Sequence, residues 1–213
     1  MKEGELVDIS TFIAFLGAAI ILTVMPGPDN LFVLAQSIAQ DKKAGIATSL
    51  GLCTGLLVHI SAAVLGISAI IYQSTVIFTV VKFVGAAYLL YLAWQSLRAK
   101  GDPFTLNQQN RQAYFSLYKK GIIMNVLNPK VSLFFLALLP QFIKPEQGNV
   151  PLQMFILGIV FLLQALVLFS LFSLCAGMVR QAIIGKPAVA KRLNLIQGVI
   201  FAFIGIQVAL SKP

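Results

Sequence analysis

Two proline breaks inside apolar runs constrain this chain more than any other feature. Met25-Pro26-Gly27-Pro28-Asp29-Asn30 interrupts the first apolar run, and Asn125-Val126-Leu127-Asn128-Pro129-Lys130 opens the fourth. Proline removes a backbone donor and collides with the preceding turn. Hydrocarbon cannot satisfy the groups so freed, so such breaks belong where backbone lines a cavity or is covered by protein. Paired breaks at corresponding places in two halves point to a transporter's substrate site.

The runs themselves set the fold class. With 58% hydrophobic and 11% charged residues over 213 positions, the composition excludes an ordinary soluble domain. Spanning helices are predicted near 11–38, 46–71, 76–97, 121–143, 151–178 and 193–210. Each reaches or approaches the roughly 20 residues that a crossing requires. The polar stretch 98–120, with the turn signal Gly101-Asp102-Pro103, separates a first half, 1–97, from a second, 121–213. Three helices per half is an odd number, so the second half enters the membrane upside down relative to the first. The prediction is an all-α integral membrane protein: a single domain over 1–213, with six transmembrane helices as two inverted three-helix repeats.

Charge gives the orientation. Loops 39–45, 98–120 and 179–192 carry eleven Lys and Arg residues, while the opposite side carries only Lys2, Lys144 and Lys212. By the positive-inside rule the three basic loops, with 98–120 as the linker, face the cytoplasm and both termini face outward. The bilayer accounts for the net charge of +9 without a nucleic-acid partner. Glu3, Glu5 and Asp8 deny the start the positive region of a cleavable signal. Cys53 and Cys175 lie mid-helix and read as small buried hydrophobes rather than a disulfide or metal site.

The polar residues within the spans are the candidates for function. Asp29 is the only acid inside a predicted span, where a charge needs a partner, a proton or water. It reads as a substrate-amine contact or proton carrier, or else as a cap restarting the helix. Lys130 either attracts a substrate carboxylate, pairs with Asp29 or snorkels to headgroups. Asn30, Asn125 and Asn128 offer neutral donors and acceptors to substrate, or satisfy the interrupted backbone. Freed helix ends supply positive dipole and carbonyls together, as a zwitterion requires. Pro26, Gly27, Pro28, Asp29, Asn30, Asn125, Asn128, Pro129 and Lys130 therefore form the expected substrate site, with Asp29 and His59 as proton-coupling candidates. His59 shares a helical face with Gly51 and Gly55 and so points into the bundle. It titrates in the range of a proton switch, but a helix–helix hydrogen bond is the simpler reading. The glycine face suits a homodimer or packing within the bundle. Lys82 reads as snorkelling to the outer surface.

Other classes fare worse. No Gly-x-x-x-x-Gly-Lys-[Ser/Thr] loop occurs, and Gly185-Lys186 is followed by Pro187. A single histidine excludes a two-histidine zinc motif, and no Gly-x-Ser-x-Gly is present. The chain is thus not expected to be an enzyme or to need a cofactor or metal. A passive channel or facilitator is the alternative, separable by flux against a gradient. A non-transporting membrane scaffold would show no substrate-dependent change.

The motifs also resemble a known family. Pro26-Gly27-Pro28-Asp29-Asn30 looks like the signature of the lysine-exporter (LysE) superfamily. Gly51-x-x-x-Gly55 with His59, and the stretch from Lys82 through Gly85-Ala86-Ala87-Tyr88 to Leu92, look like its homoserine/threonine-resistance (RhtB) branch. Asn125 to Lys130 with Leu139-Pro140-Gln141-Phe142 is similar to the family's fourth helix, and the resemblance runs from about residue 10 to 210. It implies a multi-pass protein of the bacterial inner membrane that exports an amino acid or close derivative, of the homoserine, threonine or neutral type, by proton antiport. Pro26, Gly27, Pro28, Asn128, Pro129 and Lys130 match family motifs. Ala93 departs from a position that the family often gives to glycine.

Overall fold

The computed structural model describes residues 7–25, 27–67, 75–98, 112–176, 178 and 187–210. Among these, every regular element is helical and none is a strand. The first apolar run forms α1 (Ile9–Val24) and α2 (Pro28–Ala39), which meet at 55°. Next come α3 (Lys42–Ala62), which continues into a π-helical stretch Ala63–Ile67, and α4 (Thr75–Arg98). The second break joins α5 (Tyr114–Val126) to α6 (Pro129–Leu133), and α6 runs on through a π-helical stretch to a 3-10 turn ending at Phe142. The two arms of that break meet at 49°. The chain then forms α7 (Val150–Leu174) and α8 (Pro187–Leu210). Among the described residues, Lys42–Gly66 and Val150–Leu174 are long and apolar enough to cross a membrane, and each bent pair taken as one span raises the number to four.

The starts of elements depart from an apolarity-based reading for local reasons. α3 begins at Lys42 rather than 46 because the Asp41 carboxylate accepts the Ala44 N–H at 2.8 Å; a cap, not hydrophobicity, sets the start. α5 begins at Tyr114, inside the stretch read as linker. Its first turns bury Leu117 and Gly121 while Lys119 and Lys120 stay exposed, so mean apolarity hides them. Pro140 cannot donate to a preceding carbonyl, and the widened and tightened turns around it follow from that. Gln141 Nε2 donates to the Ala137 carbonyl at 2.9 Å, replacing a backbone donor. Pro26, residues 99–111 of the linker, residues 179–186 and the Lys82 side chain lie outside the described part.

Close backbone approach welds α3 to α5. A Cβ on Gly51 would stand 2.1 Å from the Tyr118 carbonyl oxygen, and one on Gly121 would stand 2.6 Å from that of Thr48. The Gly51–Gly55 face is therefore filled within the chain, the second of its two expected uses. α7 packs on α1, α2 and α3. α4 and α8 pack on each other, and Ala93 is buried in that contact beside Gly198. Phe134 and Phe161 have ring centroids 4.7 Å apart, and Phe15 lies 5.9 Å from Phe134, fastening α1, the second broken helix and α7 together. Leu163, Val167 and Leu171 of α7 point outward, as lipid-facing residues do. Lipid is as apolar as leucine, so contact geometry, rather than burial of apolar area, holds these helices together.

Candidate functional site

The two breaks face each other in the interior. Gly27 is the extended N-cap of α2, and Pro28 takes its first position, where a missing N–H has no intrahelical use. That places Asp29 in the first turn, at the positive end of the helix dipole. Asp29 is 5% exposed. Its carboxylate accepts Asn125 Nδ2 at 3.0 Å and Asn128 Nδ2 at 2.8 Å. Asn128 serves the second break as well, since its Oδ1 accepts the Lys130 N–H as N-cap of α6.

The C-terminal end of α1 is satisfied from both sides. Asn30 Nδ2 lies 2.7 Å from the Thr23 carbonyl, 3.0 Å from that of Met25 and 3.2 Å from that of Val24. Lys130 Nζ donates to the Met25 carbonyl at 3.2 Å, passing beside Gly27. Lys130 thus runs inward to the first break instead of out to headgroups, and the hydrogen bonds to Asp29 come from asparagine amides rather than its ammonium. A cation fits there because the C-terminal end of a helix carries negative dipole.

His59 joins the same constellation at one remove. Its Nε2 lies 3.0 Å from the Asn125 carbonyl, and its ring stacks on Phe135 at 6.1 Å. This is the expected helix–helix hydrogen bond, and because a carbonyl oxygen only accepts, Nε2 is the donor. Asn125 therefore touches Asp29 through its side chain and His59 through its backbone. Its Oδ1 is buried with no hydrogen-bond partner.

A small cavity opens at this crossing. Thr23, Gly27, Asp29, Asn30, Asn125, Asn128 and Lys130 line one side. Leu22, Leu56, Val131, Phe161, Ala165 and Phe169 line the other. It has room for about one water and none for an amino acid. Gly27, Asp29, Asn30, Asn125, Asn128 and Lys130 are brought together as expected, whereas Pro28 is exposed and His59 is not on the wall. Pro129 opens α6. Of α7, the sequence singles out only Gln164, as a polar candidate without an assigned role, and leaves out Phe161, Ala165 and Phe169. Gln164 Nε2 donates to Thr23 Oγ1 at 2.8 Å. Among the described residues, no three His, Cys, Asp or Glu side chains gather as a metal site requires.

The chain has recognisable relatives. The family model described as LysE type translocator matches residues 20–212. A membrane protein of Vibrio cholerae is 31% identical over 96% of this chain and 99% of its own length. Membrane protein YrhP of Bacillus subtilis is 33% identical over 94% of this chain and 99% of its own. A homoserine/homoserine lactone efflux protein of Salmonella typhimurium is 33% identical, over 93% of this chain and 96% of its own length. No solved structure matches.

Proposed function

The chain belongs to the LysE type translocator family, and from that premise we propose that it exports an amino acid or close derivative from the cytoplasm by proton antiport. The substrate class is the homoserine, threonine or neutral type, in line with the efflux relatives. One observation carries the reading: a cavity at the crossing of two broken helices presents the Asp29 carboxylate and the Lys130 ammonium together. A zwitterion's ammonium is matched by the first and its carboxylate by the second. Asn30, Asn125, Asn128 and Gly27 complete the polar wall.

In this reading α4 and α8 are the third and sixth spans, and the halves 1–97 and 121–213 are inverted repeats joined by 98–120. Their mutual packing is what such a repeat leads one to expect. The protein sits in the bacterial inner membrane with both termini outside. Transport proceeds by alternating access around the cavity, with Asp29 as the leading candidate for proton carrier and His59 as the alternative.

The test is to load cells with dipeptides and measure amino-acid pools inside and outside, with and without the protein. Selective outside accumulation against a gradient, abolished by a proton uncoupler, is the expected result. Flux that only runs downhill would make the protein a passive facilitator. No movement of any amino acid would overturn the substrate class.

A further inference from the structure

The two broken helices are tied together at both far ends as well as at the breaks. At one end, Asp8 directly precedes α1 and its carboxylate meets Lys144 Nζ, while Gln147 Nε2 donates to it at 3.2 Å. Lys144 is itself fixed. Gln153, 1% exposed, accepts the Lys144 N–H at 3.0 Å and donates to its carbonyl at 2.9 Å. At the other end, α2 is followed by Gln40, whose side chain makes a two-armed pair with the Gln112 backbone at 2.8 and 2.9 Å. Tyr114 Oη, at the start of α5, donates to Asp41 at 2.8 Å.

Each clasp therefore joins the outer tip of one broken helix to the tip of the other, and the cavity lies between the clasps. Each proline break interrupts the backbone ladder of its helix, with bends of 55° and 49°, so the crossing is where its two arms can pivot. Opening one end of the cavity requires two arms to part, and the clasp at that end holds their tips together, with the Phe15–Phe142 ring contact beside it at the Asp8 end. From this juxtaposition, and resting on the transport reading above, we propose that the Asp8–Lys144 clasp and the Gln40–Gln112 clasp are the two gates of the path, opened alternately. The gates differ in chemistry. The first is a charge pair that weakens with salt, and the second is built from neutral amides and one phenol–carboxylate bond.

The experiment uses two double-cysteine variants of the full chain, Asp8→Cys/Lys144→Cys and Gln40→Cys/Gln112→Cys. Each is bridged in membranes by a reducible bifunctional thiol reagent and also carries Ala165→Cys on the cavity wall as a reporter. With the Gln40 end bridged, the Ala165→Cys thiol is expected to react at least tenfold faster with an impermeant reagent applied at the Asp8 end than at the Gln40 end. With the Asp8 end bridged, the preference should reverse, and reductant should abolish both preferences. Equal reactivity from both sides in both bridged forms would overturn the gate assignment whether or not the protein exports anything. Uphill export should also fall at least tenfold on bridging either end and return on reduction. Full export by both bridged forms would sink the gates while leaving the transport reading intact. No export by the unbridged parent would instead count against that reading alone.

Discussion

At the break between α1 and α2, one amide does most of the holding. Asn30 is 5% exposed, and its Nδ2 serves carbonyls that the break removes from any helical donor. Asn30→Ala leaves them buried without that donor, which should cost roughly 1–3 kcal/mol. The unfolding midpoint in detergent should fall accordingly, and an unchanged midpoint would mean that other donors take over. Asp29 differs, because its two partners are themselves asparagine amides on the opposite break. In Asp29→Asn, one of those amides faces a donor instead of an acceptor, and the site loses its only ionisable oxygen. The variant should fold, since its volume is unchanged, but should lose pH-dependent uphill export. Retention of that export at the parent's rate would remove Asp29 from proton coupling and pass the role to His59 or a water path. Asn125, which touches both groups, would then be a structural strut rather than a link between them.

Between elements, the α3–α5 contact carries the sharpest steric test. Gly51→Ala would drive a methyl to 2.1 Å from the Tyr118 carbonyl, a backbone atom that cannot rotate away. Overpacking of this kind costs about 1–3 kcal/mol. Gly17→Ala on the open face of α1 meets nothing within 4 Å and should be neutral or stabilising by up to about 1 kcal/mol. Thermal unfolding of the pair should therefore shift in opposite directions from the parent, or leave only Gly51→Ala shifted; equal losses would contradict the packing. Sequence made both breaks legible, because Pro28 and Pro129 remove backbone donors wherever they stand. It also pointed Gly51, Gly55 and His59 inward through their spacing. It left out the wall formed by Phe161, Ala165 and Phe169. A face turned to lipid and a face turned to a cavity are both apolar, and only packing tells them apart. The destination of Lys130 was equally out of reach, since an inward and an outward course of the same flexible stem read alike until Met25 is seen beside its ammonium.

For the molecule as a whole, the two ends differ in charge. Lys42, Lys43, Lys119 and Lys120 are exposed around the Gln40 end, whereas the Asp8 end presents the paired Asp8 and Lys144. The Lys144 ammonium holds the Asp8 carboxyl well below the usual carboxylate range, helped by donors from Ser10, the Thr11 N–H and Gln147. Asp8 therefore stays ionised throughout physiological pH. A carboxyl depressed in the folded state stabilises that state fully above its unfolded value of roughly 3.9 and progressively less as pH falls below it. Asp8→Asn removes this contribution at every pH. The difference in unfolding midpoint between parent and variant should accordingly be steady from pH 7 to about 5 and shrink below about 4. It should also shrink at neutral pH when salt is raised, because both side chains are partly exposed and screened. A gap that widened on acidification would mean that protonated Asp8 is the form favoured by folding. The clasp at that end would then open on alkalisation rather than hold.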